Sequence, residues 1–300
     1  MAATVQLAGP AREASPLALW HLLSLDAPTV AALWTWFVAR TSHVSLPLAS
    51  PLATALAAWV LYATDRLLDA RQLDGCEVGP RDKLEARHLF HHRHRRLFLR
   101  GIAVAAIGVV VLLPRLDPAA IRLYMVEGAL LLGWFLVLHA THRAHRLPKE
   151  IAVGLFFSAA TFIPTVARAP GLRLALLPGA ILFASLGSLN CLFICRWEHG
   201  DPGLAPRGGR LTSARPVHAT TQIALAHLGP LAFGVATLGA ALAIVSPAHL
   251  NECPISVACA LSAVLLLLLD HNRQRLSQLD LRAAADLALL TPLLLLPFPR

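Results

Sequence analysis

The chain has 300 residues, 56% hydrophobic and only 14% charged, with net charge +9 and mean hydropathy +0.61. A soluble domain carries about 25% charged residues, so this much apolar side chain excludes an ordinary globule with a wettable surface and points to a bilayer as solvent. The basic excess sits in loops between apolar runs, which fits the positive-inside bias of membrane proteins and gives no reason to expect nucleic acid as a partner.

Residues 1–15 are rich in Ala and lack a basic stretch ahead of an apolar core, so a flexible tail rather than a cleavable signal is expected. A spanning helix needs about 20 mostly apolar residues. Runs of that kind cover 26–46, 48–64, 97–114, 118–139, 150–168, 173–195, 220–246, 253–270 and 281–298. The expected fold is all-α: one polytopic domain over 1–300 with about nine transmembrane helices. A β-barrel would need alternating strands of about ten residues, and the runs here are unbroken. Counted with the adjoining span ends, the loops after the second, fourth, sixth and eighth spans carry nine, three, four and three Lys or Arg. The opposite loops hold Arg40, Arg115, Arg168 and Arg173. That alternation puts the N-terminus in the cytoplasm and the C-terminus outside, and the expected location is the bacterial inner membrane.

The end of the second span reads Tyr62-Ala63-Thr64-Asp65-Arg66-Leu67-Leu68-Asp69. Asp65 and Asp69 are four apart, so on a helix they share a face, with Tyr62 one turn earlier. Carboxylates near hydrocarbon are costly unless paired. A Mg²⁺ ion between them is one solution, since it takes oxygen ligands and is usually shared with substrate phosphates. Ion pairing with Arg66 or Arg71 is the other. Asn190, Ile194 and Glu198 follow one helical line at the end of the sixth span, with Arg196 beside them and Asp201 beyond. They read either as oxygen ligands or as a helix cap and loop anchor. His139, His142, Arg143, His145, Arg146, Lys149 and Glu150 form a loop that either holds a diphosphate or is simply solvated. A histidine-rich run, Arg87 to Arg96, suits a basic helix at the headgroups better than zinc, because its arginines oppose a dication. Glu127, Asn190 and Asp286 are isolated polar residues inside spans, with Arg122 and Asp270 near ends. Each either lines a wet cavity or makes a structural pair. The cysteines Cys76, Cys191, Cys195, Cys253 and Cys259 form no CxxC pair.

In order and spacing these pieces resemble the UbiA superfamily of intramembrane prenyltransferases. The resemblance rests on nine spans, on Asp65-Arg66-Leu67-Leu68-Asp69 after the second, on Leu147-Pro148-Lys149-Glu150 leading into the fifth, and on Asn190 to Glu198 closing the sixth. Two departures stand out. Leu61 occupies a position where the family has Asn, and the second motif is thin in acids. The resemblance implies a ring of helices around a central cavity open to the membrane. It implies an isoprenyl diphosphate and a lipophilic, aromatic acceptor as substrates. Mg²⁺ would be held by Asp65, Asp69 and Glu198, and Lys149 would join Asp65 and Asp69 in catalysis. Arg66, Arg71, Tyr62, Asn190 and Arg196 would bind substrate, and Trp34, Trp36, Trp59 or Trp134 would shield an allylic cation. Two other readings remain open: a non-catalytic protein on the same scaffold that binds lipid or a partner, and a transporter or metal handler using the histidines.

Overall fold

A computed structural model describes residues 16–71, 90–91, 93–140, 148–199, 219–245 and 253–295. The N-terminal tail and most of the basic loops expected from the sequence lie outside those residues. Every described element is helical. In chain order these are α1 (Pro16–Leu22), α2 (Asp26–Thr41), α3 (Ala49–Arg71), α4 (Arg95–Leu112), α5 (Pro118–Ala140), α6 (Lys149–Arg168), α7 (Arg173–His199), α8 (Ala219–Ala226), α9 (Leu228–Val245), α10 (Cys253–His271), α11 (Gln278–Leu287) and α12 (Pro292–Leu295). Among the described residues, six helices are long and apolar enough to cross a membrane: α4, α5, α6, α7, α9 and α10.

Of the other expected spans, 48–64 lies within the continuous helix α3, which is not among the six, and three expected runs, including the one that contains α9, are interrupted. The run at 26–46 is helical only to Thr41. Beyond it His43 takes a positive φ of 54°, a backbone conformation uncommon outside Gly. The run at 220–246 breaks at His227, because Pro230 has no N–H to bond back into the preceding turn. The run at 281–298 starts as α11, passes through a 3₁₀ turn at Ala288–Leu290 and restarts at Pro292.

The core lies among α2, α6, α7, α9, α10 and α11. Trp34 of α2 is fully buried, stacks on Phe183 of α7 at 4.0 Å between ring centroids, and donates its indole N–H to the Leu289 carbonyl at 2.8 Å. Its ring face is thereby covered by protein. At the α6–α7 crossing, a Cβ built on Gly154 would stand 2.2 Å from Ser188 Oγ and 2.3 Å from the Ala184 carbonyl. Only Gly allows that approach, a use of small residues common where membrane helices pack. Ser158 of α6 donates to the Ala180 carbonyl of α7 at 2.8 Å along the same seam. This contact brings Lys149, at the start of α6, to the same end of the bundle as the close of α7.

Candidate functional site

A chain reversal between α1 and α2 builds one wall of the site. Ser24 has φ 58° and is fully buried, and its N–H donates to the His21 carbonyl at 3.0 Å. The reversal sets Asp26 in the first turn of α2, where the helix dipole favours an acid. It also turns His21 back onto it. His21 Nδ1 lies 2.6 Å from Asp26 Oδ2, an ion-pair contact by distance rather than an aligned hydrogen bond.

Arg66 of α3 closes this corner. It donates to the His21 carbonyl at 2.8 Å and to Asp26 Oδ2 at 3.3 Å, with its guanidinium carbon 5.9 Å from the Tyr62 ring centroid. From α11, Asp286 Oδ2 stands 3.6 Å from His21 Nδ1, while Asp286 Oδ1 accepts from Asn190 Nδ2 of α7 at 2.9 Å. Tyr62 is within electrostatic reach of Cys191, Asp286, Asp26 and Arg66. Thus α1, α2, α3, α7 and α11 each contribute to one buried polar centre. His21 is 3% exposed by side chain, Asp26 0% and Asp286 15%. Two carboxylates, one imidazole and one guanidinium in so dry a place must balance one another, because an unpaired buried charge is expensive. With His21 protonated the four sum to zero. Burial opposes that charge, but the Asp26 and Asp286 carboxylates more than offset it, and His21 is held above its ordinary pKa of 6.5.

Of the residues singled out by sequence, the structure gathers Tyr62, Arg66, Asn190 and Asp286. Asp65 is exposed on α3 and has an interaction of its own. Lys149 is exposed at the start of α6, and the neighbouring Glu150 accepts from Thr221 of α8 at 2.9 Å. Arg196 pairs instead with Asp270 of α10, which also accepts the Trp197 indole N–H at 2.9 Å. The side chains of Asp69, Arg71 and Glu198 lie outside the described set, as do the loop histidines from His139 to His145. Of the second histidine run, His91 is buried against Phe98 and stands 3.4 Å from Ser24 Oγ, and His94 contacts the Phe90 carbonyl. Both serve packing. Arg93, Arg95, Arg96 and Arg100 line an open basic recess at the start of α4.

Sequence reasoning missed His21 and Asp26. His21 precedes every apolar run, and Asp26 reads as the first residue of one. The available signal was an acid at the very start of a span with a histidine five positions earlier.

Fold and site together define an all-helical membrane protein with a buried, charge-balanced centre near one end of its bundle. No family model, curated protein or solved structure matches the chain.

Proposed function

We propose that the chain is an intramembrane prenyltransferase of the UbiA type. In this reading nine spans surround a central cavity, with the N-terminus cytoplasmic in a bacterial inner membrane. An isoprenyl group passes from its diphosphate to a lipophilic, aromatic acceptor. The supporting observation is that α3 and α7, which carry the two motifs, each place a residue on one polar centre, Arg66 through Asp26 and Asn190 through Asp286. At about 100° per residue, Asp65 sits roughly 60° around α3 from Tyr62. Ala63 and Leu67 point elsewhere, to pack with Phe98 of α4. Asp65 therefore belongs to the Tyr62 side of the helix, one turn nearer its end.

Asp65, Asp69 and Glu198 are hard oxygen donors of the kind Mg²⁺ takes, and they would hold it. The buried centre, with an imidazole and a guanidinium among its members, suits that ion poorly. When bound, the ion would neutralise charge on the diphosphate leaving group. The protein's own part is electrostatic and steric. Lys149 supplies a cation to the diphosphate. Arg66, fixed by Asp26 and the His21 carbonyl, holds Tyr62 in place by its position over the ring. The apolar walls keep water from the developing allylic cation.

In vesicles containing the protein, Mg²⁺-dependent release of pyrophosphate from farnesyl diphosphate is expected, and Asp65→Asn is expected to abolish it. A fully active Asp65→Asn protein would refute the assignment. One observation favours the non-catalytic alternative on the same scaffold: Arg66, Asn190 and Arg196 already have partners within the protein. That alternative requires that a prenyl diphosphate analogue with Mg²⁺ give the folded protein no protection against heat.

A further inference from the structure

The start of α4 carries charge that the transfer reaction does not use. Arg93, Arg95, Arg96 and Arg100 line one open recess, and no acid lines it with them. Among the described residues no carboxylate pairs with any of the four. His94 Nδ1 faces the Phe90 carbonyl at 2.9 Å, so the arginines set the charge of the recess.

The same face of the helix then turns apolar. At about 100° per residue, Arg96, Val104, Ile107 and Val111 all fall within about 40° of Arg100 around α4. Val104, Ile107 and Val111 are 69%, 63% and 58% exposed. Phe98 and Ala105 lie on the other side and are buried, Phe98 against Ala63 and Leu67 of α3. The stripe therefore looks outward, away from the bundle.

Depth makes these cations unfavourable on their own. The apolar span that begins at Arg95 runs to Arg115, 21 residues and about 30 Å, close to the thickness of the hydrocarbon. Arg100 stands about 8 Å inside its end, where an unpaired charge is disfavoured. Arg95 and Arg96 add to this, being in a first turn that has no acid, at the positive end of the helix dipole. An anion in the recess relieves both. From Arg100 to Val111 the stripe is about 16 Å long, close to one leaflet's share of a hydrocarbon core of about 30 Å. A charged head above a tail of that length is the form of a phospholipid.

We propose that this recess binds one anionic phospholipid, its phosphate held by Arg96 and Arg100 with Arg93 and Arg95 around it, and an acyl chain laid along Val104, Ile107 and Val111. Charged phosphate oxygens take guanidinium N–H donors well. A zwitterionic headgroup would bring its own cation among the arginines. A lipid seated here holds the start of α4 in place, and with it the Phe98 contact to α3. The site is independent of the transferase reading.

The test uses the full-length protein in neutral detergent, followed by native mass spectrometry and thermal melting, with phosphatidylglycerol and phosphatidylcholine as probes. One phosphatidylglycerol per chain is expected to stay bound, and the melting temperature is expected to rise with phosphatidylglycerol but not with phosphatidylcholine. Affinity for phosphatidylglycerol should fall about fivefold in Arg100→Gln and about thirtyfold when Arg96→Gln is added. It should be unchanged in Arg275→Gln, an exposed arginine beyond α10. Equal retention of the two lipids overturns the proposal. So does an equal loss in Arg275→Gln, which would make the effect one of general surface charge. Displacement of the lipid by inorganic phosphate would assign the recess to a soluble anion, and a lipid-free dimer would assign the face to a second copy of the chain; either overturns the proposal. The comparison of the two lipids needs only the wild type, so it decides the outcome even where a variant fails to fold.

Discussion

The α6–α7 pair and the α4–α5 stretch are similarly apolar and built for different surroundings. Half of the residues in the α7 span are buried inside the protein and 39% of those in the α6 span, against 11% in the α4 span and 6% in the α5 span. Val104, Ile107, Val110 and Met125 are more than 60% exposed. In water such a surface would drive association. In a bilayer the lipid tails cover it, and no hydrophobic force pulls the helices together. What holds α6 on α7 is close fit at Gly154, the Ser158 bond and the tilted contact of the Phe162 and Phe183 rings deeper in the core. Hydropathy finds both pairs. Only residue size and the placement of small polar groups tell them apart.

Substitutions sharpen that contrast, the largest effect coming from Gly154→Leu. A side chain there must push α7 away, so loss of most folded protein is expected in detergent, measured by size-exclusion recovery. Near-normal recovery would break the claim of a tight α6–α7 seam. Trp34→Ala removes the ring on Phe183 and leaves a cavity, with an expected loss on the order of 3 kcal/mol in denaturant unfolding. A smaller effect concerns pH. Because the folded His21 pKa lies above 6.5, its contribution to stability is complete below that value and is lost as pH rises through the folded one. Melting of the wild type from about pH 5 to about pH 9 should therefore show a decline across that window that His21→Gln lacks. Equal slopes in the two proteins would remove His21 from the charge balance. Smallest of all, Ile107→Ser on the α4 face should change stability by no more than about 0.5 kcal/mol in detergent. A large loss there would mean that protein, not lipid, covers α4.

The helix positions were legible because apolar runs of membrane length leave few alternatives. Their interruptions were not, since neither the positive φ at His43 nor the 3₁₀ turn at Ala288–Leu290 shows as a break in the apolar pattern. For the site, polar residues inside apolar runs or at their ends were a partial signal: Tyr62, Arg66, Asn190 and Asp286 do come together, while Glu127 lies beside Ala160 of α6 instead. Their partners were hidden because the contacts join distant parts of the chain. Asp26 meets Arg66 across 40 positions, and Asn190 meets Asp286 across 96. The Arg196 pairing to Asp270 spans 74. No local spacing encodes such pairs.

The account depends on α3 and α7 facing one shared polar space. The direct measurement is a thiol crosslink between Tyr62→Cys and the natural Cys191, with the other cysteines replaced by Ser and a short bifunctional reagent. The account predicts an intramolecular crosslink for Tyr62→Cys and none for Leu61→Cys, whose side chain is exposed on another face. Efficient crosslinking from position 61 and none from position 62 would contradict it.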